Sequence, residues 1–360
     1  MKLLVTGGAG YIGSHVVRAA EAAGHSCVVV DNLSTGLTKR ISSPLVELEL
    51  ASADAPELLV KLMKQHKFDS VIHLAARKQV GESVQKPEEY FLENLGGLGN
   101  LLLAMREVGL KSLVFSSSAA TYGMPDVDKV SEDYPGVPIN PYGQTKLIGE
   151  LMVKNAEVWG LKGVNLRYFN VAGAGASDLA DTAALNLIPI AINAVKAGKA
   201  PVVFGTNYPT PDGSCIRDYV HVEDLAHAHI AAVDYLVGEG QEFNTFNVGT
   251  GEGASVIEVL DALKIASGID FEVAIGERRA GDPPRRDRTE LRSTRENTVM
   301  KNSIPGSLLL SLALAAVSPG LFAQTRDAAP AGQRVQPNRT GSGGARSAWW
   351  YSASRCRRRC

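Results

Sequence analysis

The chain has 360 residues, 45% of them hydrophobic, and a formal net charge of −1. That size and apolar content supply a large core and predict two lobes, and no nucleic-acid partner follows from the charge balance. Cys27 and Cys215 stand alone and Cys356 and Cys360 lie in an Arg run with no histidine, so the cysteines predict a reduced, cytoplasmic protein without a metal site.

Lys2-Leu3-Leu4-Val5-Thr6 predicts a buried strand that begins at once and leaves no room for a signal peptide. Gly7-Gly8-Ala9-Gly10-Tyr11-Ile12-Gly13 follows, and Ser14 to Ala20 reads as a helix. In such a loop Gly7 suits the tight turn, Gly10 lets backbone approach a pyrophosphate, and Gly13 lets helix pack on strand. The helix N-terminus then faces the negative charge. A second apolar run, Cys27 to Val30, ends in Asp31. An acid at that tip holds ribose hydroxyls and repels a 2′-phosphate, which predicts NAD rather than NADP.

Ser70 to Leu74 and Ser112 to Ser116 are further buried strands, separated by helical stretches. The alternation predicts an α/β fold, a Rossmann-type doubly wound parallel sheet. Tyr142 and Lys146, four residues apart, share one helix face. An ammonium there favours the phenolate and draws a hydroxyl of pKa ~10 toward neutrality. A Tyr-x-x-x-Lys pair alone is usually a surface pair, and the upstream glycine loop is what gives it weight. Beyond about residue 170, Gly, Pro and Asn become frequent, which suits a smaller, mixed α/β lobe.

Thr6 to His15, Val80 to Pro87, Phe115 to Ala119, Arg167 to Asn170, Gly205 to Gly213 and Arg217 to Val222 together resemble the UDP-glucose 4-epimerases of the extended short-chain dehydrogenase/reductase family. The resemblance spans residues 1 to about 284. It implies reversible C4 inversion of a UDP-hexose through a 4-keto sugar, with tightly held NAD. Tyr142 would be the base, Lys146 would lower its pKa and bind the nicotinamide ribose, and Ser118 would hydrogen-bond the reacting oxygen.

By the same resemblance, Gly7, Gly10, Tyr11, Ile12, Gly13 and the turn Asp31, Asn32, Leu33, Ser34, Thr35, Gly36 would line the adenosine diphosphate. Leu74, Ala75, Ala76, Lys78, Asn94, Ser116 and Phe169 would continue the cofactor site, with Lys78 also toward substrate. Asn170, Asn186, Leu187, Phe204, Arg217, Arg279 and Asp282 would contact the UDP-sugar, arginine suiting a diphosphate through its planar fork. The implied domains are an NAD-binding domain over 1–169, a UDP-sugar-binding lobe over 170–284 with some exchange of segments, and a poorly ordered tail over 285–360. A homodimer is a family expectation only.

Blander readings accompany these residues. Arg217 beside Asp218 also reads as a structural ion pair, Phe204 as core, Ser116 to Ser118 as a strand end, and Arg77 with Lys78 as a solvated pair. His73 and His221 read as satisfied structural histidines. A nucleotide-sugar dehydratase on this scaffold would need carboxylates where the chain has Ser118-Ala119-Ala120. Another UDP-sugar, such as UDP-arabinose, or an NAD-binding but weakly active chain are the further alternatives.

Two departures qualify the resemblance. Ala51-Ser52 stands where the family has Gly-Asp against the adenine, which predicts weaker NAD binding, and Glu93-Asn94 replaces a frequent Asn-Asn. Past Pro284 the pattern stops: residues 285–360 hold 14 Lys+Arg against 4 Asp+Glu, where residues 1–284 hold 23 against 34. An apolar run from Ser307 to Val317 follows Met300, resembling an internal secretion signal too short and broken to span a membrane. The abrupt change predicts a frameshift or fusion after about Pro284, testable by re-reading the gene across codon 285.

Overall fold

In a strand, successive side chains point to opposite faces, so a run that is apolar throughout must be covered on both. That describes Leu3, Leu4 and Val5, each fully buried, and likewise Val71 with Ile72 and Leu113 with Val114. The computed structural model describes residues 1–127, 129–238, 243–278 and 285–286. Its strands are β1 (Lys2–Thr6), β2 (Ser26–Asp31), β3 (Leu45–Glu47), β4 (Ser70–His73), β5 (Ser112–Ser116), β6 (Lys162–Tyr168), β7 (Asn170–Ala172), β8 (Val202–Phe204), β9 (Ile216–His221), β10 (Asn244–Val248), β11 (Gly253–Ser255), β12 (Ala274–Gly276) and β13 (Arg285–Arg286). The helices are α1 (Tyr11–Ala22), α2 (Ala55–His66), α3 (Val80–Gln85), α4 (Pro87–Phe91), α5 (Gly97–Val108), α6 (Pro141–Asn155), α7 (Leu187–Lys196), α8 (Val222–Val237) and α9 (Val256–Ser267).

Seven strands form one parallel sheet in the order β10-β6-β5-β4-β1-β2-β3. Leu4, Val28, Val71 and Leu113 pack on one face against Leu59, Leu98, Leu101 and Met105 of α2 and α5. Leu3, Val29, Ile72 and Val114 pack on the other against Val16 of α1 and Leu225 and Val233 of α8. Each such leucine or valine contributes roughly 1.5–3 kcal/mol by burial. The doubly wound sheet expected from the alternation is therefore present. The strand order reverses between β1 and β4, and in such sheets ligands bind beyond the carboxyl ends at that point.

A smaller mixed sheet joins β7, β9, β11 and β13, with β11 antiparallel to β9, and β8 pairs with β12 alone. Helix α9 starts on a capping box, Ser255 and Glu258 exchanging bonds with each other's backbone. Arg285 and Arg286, just past the expected boundary at 284, pair with Ile216 and Arg217, so the smaller sheet takes the first two residues of the basic segment. Residues 287–360 with their apolar run, and Arg279 and Asp282, lie outside the described residues. No helix among the described residues is long and apolar enough to cross a membrane.

Candidate active site

Residue 7 needs a glycine: its φ is +72°, and a Cβ would stand 2.6 Å from the backbone nitrogen of Ala75. A Cβ on Gly13 would collide with the carbonyl of Gly7, so the turn closes only with glycines there. Helix α1 opens at Gly10 with no side-chain cap and no acid in its first turn. Its leading N–H groups and dipole are thus left to an external anion, and the loop fits a pyrophosphate. The Asp31 carboxylate, buried at the end of β2, accepts from Ala9 N at 3.0 Å and Leu33 N at 2.8 Å, fixing both loops against each other. Asn32 accepts from Ser34, whose neighbours Thr35 and Gly36 complete the turn. Leu33 adopts a φ of 56° within it.

Leu74, Ala75 and Ala76 follow β4, and Leu74 N donates to Thr6 O. Lys78 Nζ lies 5.9 Å from the Tyr11 ring centroid, whereas Arg77 turns to Glu82, Glu89 and Glu93. Glu93 makes bidentate bonds to Arg77, which gives this residue a structural role here. Asn94 sits in a single π turn, Leu92–Gly96, and is spent on protein partners. It accepts from Arg77 N and donates to Arg77 O and Thr145 Oγ1, while Thr145 Oγ1 donates to Tyr142 O. This ties the loop after β4 to the helix carrying Tyr142. The Ser52 hydroxyl donates to Asp54 at 2.5 Å.

Helix α6 begins at Pro141 with Asn140 as N-cap, its side chain accepting from Gly143 N. Gly149 brings the helix onto β5, since a Cβ there would stand 2.6 Å from the Phe115 ring. The buried face of α6 carries Tyr142, Lys146 and Glu150 at four-residue spacing. Lys146 Nζ donates to Ser116 O at 2.8 Å and lies 6.0 Å from the Tyr142 ring centroid. Ser118 follows β5, accepts from Ala120 N, and bonds the Tyr142 side chain.

The expected lowering of the phenol by Lys146 is not what these residues alone produce. Burial pushes Tyr142 upward, and the Ser118 bond opposes it. Burial also pushes Lys146 down to about 8, opposed by the nearby Glu150 carboxylate. The pair's mutual attraction is set against desolvation, which dominates for two groups 7% and 4% exposed.

Of the expected substrate contacts, Asn170 begins β7 and pairs in register with Tyr219 of β9, which carries Arg217 two residues earlier. Arg217 Nη1 donates to Ile216 O. The buried Asp218 accepts from Thr250 N, Thr250 Oγ1 and Gly251 N, fixing the turn before β11. Asn186 precedes α7 at the N-cap position, next to Leu187, and its side chain donates to Asp181 instead of capping the helix. Phe204 is 37% exposed at the end of β8, so it is no core residue. Phe169 is buried with Ala119, Tyr122 and Val130.

His73 bonds Thr6 Oγ1 at 2.7 Å and stacks on Phe115, a satisfied structural residue as read. His221 is only half satisfied: its Nδ1 accepts from Glu223 N at 3.4 Å, and its buried Nε2 has no partner among the described residues. Sequence reasoning missed a set of buried polar groups behind the site. Glu150 receives Arg167 Nε and Nη2 at 2.9 and 2.6 Å, and Ser116 Oγ bonds His229 Nε2 at 2.7 Å. The four-residue step from Lys146 to Glu150 was the available signal.

Against known proteins, the profile of the NAD dependent epimerase/dehydratase family matches residues 3–249. The UDP-glucose 4-epimerase of Azospirillum brasilense is 46% identical over 290 residues, 79% of this chain and 82% of the relative. The fold superposes on UDP-glucose-4-epimerase from Stenotrophomonas maltophila, solved with NAD and formylated UDP-arabinopyranose, with a TM-score of 0.81 at 35% identity. That match covers 91% of this chain and all of the other. The Brucella ovis enzyme in complex with NAD gives 0.79 at 38% identity, covering 89% and 98%.

Proposed function

Since the chain belongs to the NAD dependent epimerase/dehydratase family, we propose that it interconverts UDP-glucose and UDP-galactose by inversion at C4. The observation that carries this is the convergence of Tyr142, Ser118 and Lys146 at the carboxyl end of β5, beside an uncapped glycine-loop helix. The α1 N-terminus and the Asp31 turn hold the dinucleotide, and Lys146 and Lys78 extend its site. Bound NAD supplies the acceptor and donor of the C4 hydride and, oxidised, a positive charge near the phenol. Tyr142 takes the C4 hydroxyl proton as the 4-keto sugar forms and returns it after the sugar has turned over. Ser118 donates to the reacting oxygen, and Lys146 holds a positive charge under Tyr142. No net oxidation results. Asn170, Asn186, Leu187, Phe204 and Arg217 hold the UDP-sugar, together with Arg279 and Asp282.

We assign residues 1–169 to cofactor binding and 170–284 to the substrate lobe, and place the protein in the reducing cytoplasm, in keeping with free buried Cys27 and Cys215. We also propose a homodimer, because α5 and α6 leave Leu103, Ile148 and Leu151 exposed at 59%, 37% and 55%. Light scattering on the wild type and Leu151→Glu tests it, a monomer in both being the contrary result. The function is tested by supplying UDP-galactose and measuring UDP-glucose in a coupled assay. Tyr142→Phe is expected to cut turnover by about 10²–10⁴-fold while NAD still binds. A wild type that binds NAD without turnover would refute it.

A further inference from the structure

Glu150 is a buried acid that the reaction does not consume. It is 5% exposed, one helical turn beyond Lys146, and both its oxygens are bonded. Arg167, on β6, clasps it from one side with two bonds of 2.9 and 2.6 Å. Ser117, directly after β5, donates to it from another. Arg167 is itself fixed, its Nη1 donating to Glu132 O at 3.0 Å and its guanidinium lying 4.8 Å from the Tyr122 ring centroid. Tyr122 in turn donates to Asn247 of β10.

A lysine buried to this degree loses its proton readily unless a negative charge stands near it. The groups facing Lys146 from neighbouring elements leave one candidate. His73 of β4 is held down to about 3 and His229 of α8 to about 4, both by burial, so neither carries charge at neutral pH. Burial pushes the phenols of Tyr142, Tyr168 and Tyr122 up, which disfavours a phenolate among these residues alone. Glu132 is bonded on the far side of Arg167 by Asn247 N. Glu150 is the carboxylate one turn from Lys146 on the same buried face, and Ser117, which it holds, adjoins Ser116, whose carbonyl accepts from Lys146; its charge favours the ammonium.

We propose that Glu150, clasped by Arg167 and Ser117, is a positioning residue that keeps the Lys146 ammonium charged and aimed at Ser116 O beneath Tyr142. Its effect on catalysis rests on the function proposed above, but its effect on Lys146 does not. Glu150→Gln keeps the shape and removes the charge. The ε-carbon resonance of Lys146, in protein labelled with ¹³C-lysine and assigned by Lys146→Arg, is expected to titrate lower in Glu150→Gln by about one pH unit, a tenfold fall in the ratio of charged to neutral lysine at fixed pH. The alkaline limb of kcat moves down with it, while KM changes less than about twofold and activity at low pH is retained. A Lys146 midpoint within about 0.3 units of wild type, or a uniform loss of activity at every pH, overturns the proposal. A wild type without epimerase activity would sink the functional reading, yet the lysine titration would still decide this one. Should Glu150→Gln strand the Arg167 charge and fail to fold, Glu150→Gln with Arg167→Met removes both charges and carries the same titration.

Discussion

Two arginines show how burial changes what a charge does. Arg77, 31% exposed, faces three carboxylates, Glu82, Glu89 and Glu93; Arg167, 9% exposed, faces Glu150. The Arg77 guanidinium is held charged first by its bond to Glu93, burial being secondary. For Arg167 burial is the largest influence and works against the charge, and the Glu150 bonds overcome it. The exposed cluster pins a loop in water, where each pair is weak. The buried pair depends on its partner because no water replaces it. Charge count is therefore a poor guide, and the arginine with fewer carboxylates is the one the fold cannot lose.

The sharpest way to break this contrast is Arg167→Met, which leaves Glu150 buried alone. It is expected to cost about 3–5 kcal/mol in denaturant unfolding, and a cost near zero would mean water reaches Glu150. Acid reveals the same buried region. The folded pKa values of His73 and His229 are depressed to about 3 and about 4, so the unfolded chain takes up their protons first as pH falls below ~6.5. Their neutral burial is without penalty above that pH and costs roughly 2 kcal/mol each at pH 5. Unfolding midpoints at pH 7 and pH 5 should differ accordingly, and less so in His229→Gln. Arg77→Met should cost about 1 kcal/mol or less and be blunted by salt, which leaves Arg167→Met unchanged. Smallest is Lys64→Met, whose pair with Glu107 is about 60% exposed on both sides, with an effect within about 0.5 kcal/mol by thermal unfolding.

Much of the sheet was legible because its strands are short apolar runs bounded by glycine, aspartate or serine. Lys2 to Thr6 and Ser112 to Ser116 match the observed β1 and β5 residue for residue. Tyr142 and Lys146 were legible because helical spacing puts them on one face. The rest was hidden by distance along the chain. Arg167 meets Glu150, and Ser116 meets His229 113 residues away, only after α6 and α8 have packed on β5 and β6. The pairing of Arg285 and Arg286 with β9 was unreadable for another reason: two arginines carry no strand pattern, and backbone register alone places them. Spacing also gave the wrong sign for the phenol, since desolvation appears only when the fold closes over it.

The most direct test follows the hydrogen at C4. The holoenzyme is given UDP-galactose carrying deuterium at C4, and the product is read by mass spectrometry and NMR. UDP-glucose with the deuterium still at C4 and no accumulated NADH is the predicted result. Deuterium at C6 of a 4-keto-6-deoxy product, or NADH formed in step with an oxidised sugar, would contradict it.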